Sequence, residues 1–291
     1  MTELYISTIL SGILNGVIYA LIAVGLSVIF GVMRLVNFAH GEFVVVGMYC
    51  GYWGFQLLGL SPVLATPAVA LAMFFVGYAL QRSYINRFTT QPHHVQFIVF
   101  IGFALVITGL NVMLFGPSPR GIFSDTSFAT YDALGFSFDA TRVQAALGAI
   151  LLLALLTAFL RWSRTGRSLR AAADNRTGAE VIGIPIPHVF AVAAGIGLAS
   201  AGAAGSLIAP MFETQPFLAP EFTMLAFIIV IVGGLGSLPG AIVGGILIGV
   251  VEGIAALMLN PSMKSLYSYA LLLLVLLIKP SGLFGSKGER V

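Results

Sequence analysis

Nine apolar stretches, most of them of bilayer length, constrain this chain more than any other feature. They lie near residues 8–31, 41–59, 63–81, 96–116, 143–160, 188–209, 223–235, 239–258 and 265–279. A helix needs about 20 predominantly apolar residues to cross a hydrocarbon core, and it satisfies its own backbone groups where no water can. Composition argues against a soluble fold. The 291 residues are 58% hydrophobic and 9% charged, against about 25% charged in soluble domains, and the mean hydropathy is +1.01. A soluble chain this apolar would expose large contiguous greasy patches. The expected fold class is an all-α polytopic membrane protein of about 8–9 transmembrane helices, a single domain over residues 1–291.

Basic residues set an orientation, because short loops rich in Lys and Arg stay cytoplasmic. Of the 14 Lys and Arg, one side of a nine-span topology collects Arg34, Arg82, Arg87, Arg161, Arg164, Arg167, Arg170, Arg176, Lys279, Lys287 and Arg290. The other side has Arg120, Arg142 and Lys264. This bias predicts an external N-terminus and a cytoplasmic C-terminus. Residues 1–5 hold no Lys or Arg, so the first apolar run lacks the basic region of a secretory signal and reads as a retained span. The longest external loop, about 117–141, carries Asp125, Asp132 and Asp139; the longest internal one is 161–187. The net charge of +3, with no basic stripe beyond that internal loop, points to no nucleic-acid partner.

Four features stand out against this apolar background. In the internal loop, Leu169 to Arg176 is rich in Ala and Arg, which favour helix, and Gly178 is a natural stop. A second short helix through Ala179–Ile182 to Gly183 would complete a rigid protrusion for a partner protein. The plainer reading is a basic loop that sets topology and touches anionic lipid. Second, Asn37, His40 and Glu42 sit between two spans, flanked by Gly31 and Gly41. Ionisable groups at membrane depth cost roughly 2.5–3.5 kcal/mol each on insertion scales and mark pathways; at the interface the same residues would form a hydrated turn. Third, Gly233, Gly234, Gly236, Gly240, Gly244, Gly245 and Gly249 bracket a Gly-Ser-Leu-Pro-Gly break. Small residues four apart let helix backbones approach, and broken spans can line a pathway. Fourth, Glu252 lies inside a span with no second ionisable group near it in sequence, which suits a buried carboxylate held by a neighbouring helix better than a proton relay.

Other residues carry less. Adjacent His93 and His94 have no ligand-type spacing, His188 reads as interfacial, and the lone Cys50 reads as packing. The chain has no nucleophile elbow, zinc motif or paired carboxylates, so no catalytic or metal residues are expected. It also has no Gly-x-x-x-x-Gly-Lys-Ser/Thr phosphate loop, so an ATP-driven process would need the ATPase on another chain.

Taken together, the residues resemble the permease subunits of the branched-chain amino-acid ABC importers, of the LivH type. Gly25–Arg34 continuing into Asn37–Phe43 carries the strongest likeness; Gly233–Ala241 through Gly249 and Glu252 is next, and the tail Lys279–Gly285 is similar to the family's ending. The resemblance implies a non-enzymatic, multi-pass permease of the bacterial cytoplasmic (inner) membrane. It would pair with a second permease, two ATP-binding subunits holding ATP-Mg, and an external solute-binding protein. It implies import of branched-chain amino acids, or of related small solutes such as urea or amides, by alternating access. Residues 161–187 would be the cytoplasmic coupling loop, with Arg170, Ala171, Ala173, Asp174, Gly178, Ala179, Gly183 and Ile184 at its matching positions. Asn37, His40, Glu42, Gly233, Gly234 and Gly236 are the translocation-pathway candidates. A stand-alone secondary transporter or channel is the alternative; it predicts ionisable residues in several spans.

Overall fold

The computed structural model describes residues 2–123, 129–133, 136–258 and 263–285; Asp125, Lys287 and Arg290 lie outside the described residues. Helices occupy all nine apolar stretches. They are α1 (Thr2–Met33), α2 (His40–Leu58), α3 (Pro62–Ser83), α4 (His93–Phe115) and α5 (Ala140–Trp162), then two short helices, α6 (Arg164–Asp174) and α7 (Arg176–Val181), then α8 (Ile186–Ile208), α9 (Ala219–Gly233), α10 (Leu238–Met258) and α11 (Lys264–Ile278). Seven of the described helices are long and apolar enough to cross a membrane; α2 and the 15-residue α11 are not among the seven. The protein is an all-α polytopic membrane protein. Its one sheet among the described residues is an antiparallel hairpin in the 117–141 loop, with β1 (Thr130–Ala133) paired to β2 (Phe136–Asp139).

The boundaries follow from local chemistry. Ser61 caps α3, Asp139 caps α5 through the Arg142 N–H at 2.9 Å, and Ser163 caps α6 through the Gly166 N–H at 2.8 Å. α9 begins four residues earlier than its apolar stretch, because Pro216 and Pro220 open the turns that lead into it, and proline is tolerated in a first helical turn. His93 and His94 open α4 rather than lying in a loop.

At the centre stand α1 and α8. Every side chain from Val17 to Val24 is buried, as expected for a helix that is apolar all round. Lipid offers no hydrophobic drive between helices, so close van der Waals approach of small residues holds them. α1 runs against α10: a Cβ on Gly12 would lie 2.8 Å from the Gly249 carbonyl, and one on Gly16 2.6 Å from the Ile246 Cα. α8 meets α1 at Gly197, whose carbonyl would lie 2.5 Å from a Cβ on Gly25. It meets α3 at Ala194, whose carbonyl would lie 2.7 Å from a Cβ on Gly77, and α2 where Gly205 faces the Val44 carbonyl. Packing therefore accounts for the stripe of small residues. Gly31 and Gly41 are likewise close-contact positions, against Gly236 and Ala219. The break between them starts at Arg34, whose φ is 56°.

Two ends of the molecule are distinct in charge. Arg34, His93 and Arg176 line one cavity of about 350 Å³ at what we call the basic end. Arg142 and Lys264 share a cavity with Asp139 elsewhere on the molecule, lined also by the α8–α9 connection. Cys50 is exposed on α2 rather than packed.

Candidate functional site

The chain does not leave the protein after α1. Met33 ends the helix, Arg34 turns the backbone, and Leu35, Asn37 and Ala39 are buried at 2%, 4% and 0% exposure. His40, fully buried, then places its Nε2 2.9 Å from the Ile22 carbonyl. Ile22 lies eleven residues before Met33, which is about 16 Å along a helix. Residues 34–39 therefore run back along α1, and α2 starts deep within the helix bundle. Irregular backbone at such depth occurs where protein buries it or where it lines a cavity. The hydrated-turn reading of His40 and Glu42 is thereby overturned.

Neighbouring groups build this start. The Asn37 side-chain oxygen accepts the Ala39 N–H at 3.1 Å, giving the unwound stretch a local turn. Gly25 leaves room for the imidazole, since a Cβ there would lie 3.3 Å from His40 Cε1. The Gly41 N–H donates to Thr223 Oγ1 of α9 at 2.9 Å, satisfying one of the orphan donors of a helix start. Glu42 is 5% exposed; its Oε2 and the His40 Nδ1 have no hydrogen-bond partner among the described residues. Buried polar atoms are nearly always paired, so this node is polar capacity held in reserve. Thr223 was not singled out from sequence, and only its place opposite Gly41 gives it a role. Replacing Thr223 by Val strips the buried Gly41 N–H of its acceptor. The expected loss is about 1–3 kcal/mol, seen as a lower unfolding midpoint in detergent while Thr223→Ser stays near the parent.

A polar chain joins this node to the basic end. Asn37 edges a cavity of about 20 Å³ together with Gln81, room for about one water. Gln81, 1% exposed, donates to Asn86 Oδ1 at 2.9 Å, and Asn86 donates to the Pro187 carbonyl at 3.1 Å. Pro187 lies in the first turn of α8, at the end of the 161–187 loop. Neither Gln81 nor Asn86 carries a sequence signal that separates it from a surface amide.

Gly233, Gly234 and Gly236 are not brought to this node. They make the α9–α10 turn, with φ of 106° at Gly234 and 77° at Gly236. Gly31 sits against Gly236, nine residues and about 14 Å along α1 from Ile22. The tail pins the turn: Leu283 N–H donates to Val232 O at 2.8 Å and Phe284 N–H to Gly233 O at 2.9 Å.

The 161–187 loop is a two-helix elbow, but its break falls at Asn175, not at Gly178. Asn175 is extended, with φ −151° and ψ 98°, and its side chain caps α7 through the Gly178 N–H at 2.9 Å. A side-chain cap defines a new helix start, so Gly178 belongs to the first turn of α7. Arg170 folds back onto the Leu160 carbonyl and lies 3.4 Å from the Arg161 carbonyl, covering the C-terminal end of α5. Leu169, Ala172 and Ala179 are buried. Ala171, Ala173 and Ile184 are half-buried, whereas Asp174 and Gly183 are exposed. Beyond them Val181 and Ile182 are 80% and 74% exposed. Glu252 accepts Ser268 Oγ from α11 at 2.7 Å, the held carboxylate expected.

A bundle of apolar helices around a buried polar node is the build of a polytopic membrane protein. Residues 8–276 match the family described as branched-chain amino acid transport system / permease component, and the chain belongs to that family. It is 30% identical over 296 residues to the high-affinity branched-chain amino acid transport system permease protein LivH of Salmonella typhimurium, covering 97% of this chain and 96% of that one. It is 28% identical to the BraD permease of Pseudomonas aeruginosa, with the same coverage. A probable LivH of Methanocaldococcus jannaschii is 27% identical over 91% of this chain and 88% of its own.

Proposed function

We propose that this chain is one permease of an ABC importer in the bacterial cytoplasmic membrane, carrying branched-chain amino acids inward by alternating access. It works beside a second permease, two ATP-binding subunits that hold ATP-Mg, and an external solute-binding protein. The observation that carries the reading is the deep start of α2. His40 meets a carbonyl about 16 Å inside the end of α1, with Asn37 and Glu42 buried in the same stretch, where a buried polar group belongs to a pathway. The basic end faces the cytoplasm, in keeping with the excess of Arg there, and nine crossings put the N-terminus outside. The α6–α7 elbow is the coupling loop that docks on the ATPase. The chain Pro187–Asn86–Gln81 runs from the foot of that elbow toward Asn37, a route by which ATPase closure biases the node between two states.

The test is uptake in proteoliposomes holding the whole assembly. Labelled leucine is expected to accumulate only with ATP inside the compartment that faces the elbow and with binding protein opposite. Glu42→Ala is expected to lower the rate at least tenfold without reducing the amount of assembled protein. Accumulation driven by an ion gradient, without ATP, would replace this reading with a secondary transporter.

A further inference from the structure

Away from the basic end lies a second polar feature that the transport reading does not use. A cavity of about 280 Å³ opens between the start of α5, the start of α11, the α8–α9 connection and one face of α1. Its polar wall is Asn15 and Tyr19 of α1, Asp139 and Arg142 at the head of α5, and Lys264 at the head of α11. Met211 and Phe212 supply an apolar wall opposite. The two cations share the cavity with the Asp139 carboxylate, committed in part to capping α5 through the Arg142 N–H, while the Glu252 carboxylate stands behind Tyr19 within the field of Lys264. Two helix N-termini add positive potential. The Arg142 Nε and the Asn15 Oδ1 are buried without a hydrogen-bond partner among the described residues, so the cavity presents both a donor and an acceptor still to be used. Guanidinium groups bind carboxylates with matched, charge-assisted hydrogen bonds.

Position connects this cavity to the node. Asn15, Tyr19 and Ile22 fall on one face of α1, at i, i+4 and i+7, and Ile22 is the residue whose carbonyl meets His40. The distance from Asn15 to Ile22 along the helix is about 10 Å. On the other wall the Phe212 ring lies 6.2 Å from that of Phe222, the neighbour of Thr223. We propose that this cavity is a receiving site for a small carboxylate-bearing solute with an apolar side chain, a free α-amino acid. Arg142 and Lys264 hold the carboxylate, Asn15 and the Asp139 carboxylate accept from the ammonium group, and Met211 and Phe212 cover the side chain. It stands two helical turns before the node on the path inward and rests on the transport reading above. Urea and simple amides suit it less well, because they bring no carboxylate to the unpartnered Arg142 Nε.

The experiment uses Met211→Cys in a Cys50→Ser background within the assembled protein, and follows the rate of maleimide labelling. L-Leucine is expected to slow labelling at least threefold, and leucinamide, which lacks the carboxylate, to leave it unchanged. Arg142→Gln and, at an exposed position less able to disturb folding, Lys264→Gln are each expected to abolish the protection and to raise the KM for leucine uptake more than tenfold, with Arg142→Lys intermediate. Equal protection by leucine and leucinamide, or protection that survives both neutralisations, would overturn the proposal. Leucine protection without ATP-driven uptake would keep the site and sink the importer reading; ATP-driven uptake without protection would do the reverse.

Discussion

Replacing Gly205 by Leu is expected to remove the folded protein, while the same replacement at Gly102 leaves it intact. A Cβ on Gly205 would fall within the contact distance of the Val44 carbonyl, with the Met48 nitrogen at 2.9 Å. These are backbone atoms of α2, and they cannot rotate aside as a side chain would. Overpacking a core costs about 1–3 kcal/mol when side chains can give; here two helices must part. α2 and α8 also hold Gly47 against Gly202 and Gly51 against Ser206, so one wedge opens the whole seam. A Cβ on Gly102 of α4 would meet nothing within 4 Å, and removing glycine there favours the helix by up to about 1 kcal/mol. Monodispersity on size exclusion and the unfolding midpoint in detergent distinguish the two variants. Equal behaviour would mean that small residues do not hold this bundle together.

The second large effect is on coupling. Val181→Glu with Ile182→Glu is expected to lower ATP-driven uptake at least tenfold while the chain remains folded. Both side chains are exposed at the tip of the α6–α7 elbow, outside the apolar helices, and exposed apolar residues on a charged loop mark an interaction surface. An interface anchor is worth about 2 kcal/mol, or roughly 30-fold in affinity. The elbow itself does not depend on them, because Leu169, Ala172 and Ala179 supply its buried side and Asn175 its joint. Unchanged uptake in the double variant would return the loop to the simpler role of fixing topology.

How much was legible beforehand follows a physical division. Each apolar stretch became a helix, because a run of some 20 apolar residues has one low-energy form in lipid. The glycine stripes were legible as close contacts for the same reason of spacing. Depth is not legible: in sequence Asn37, His40 and Glu42 read equally as a hydrated turn, and only the contact of His40 with the Ile22 carbonyl places the start of α2 inside the bundle. The elbow is legible as two helices, but residue type alone marks Gly178 as the stop, whereas the side chain of Asn175 makes the joint. The β1–β2 hairpin and the early start of α9 were missed because short strands and proline-led turns carry weak local signals. Thr223, Gln81 and Asn86 gain meaning only from the partners across the fold.

The most direct test of the central claim is co-purification of the tagged chain in mild detergent, with its companions identified and their ATPase activity measured. The account predicts a complex containing a second permease and an ATP-binding subunit, with ATP hydrolysis, and loss of the ATP-binding subunit when Val181 and Ile182 both become Glu. A chain that purifies alone and moves leucine through liposomes without ATP would contradict it.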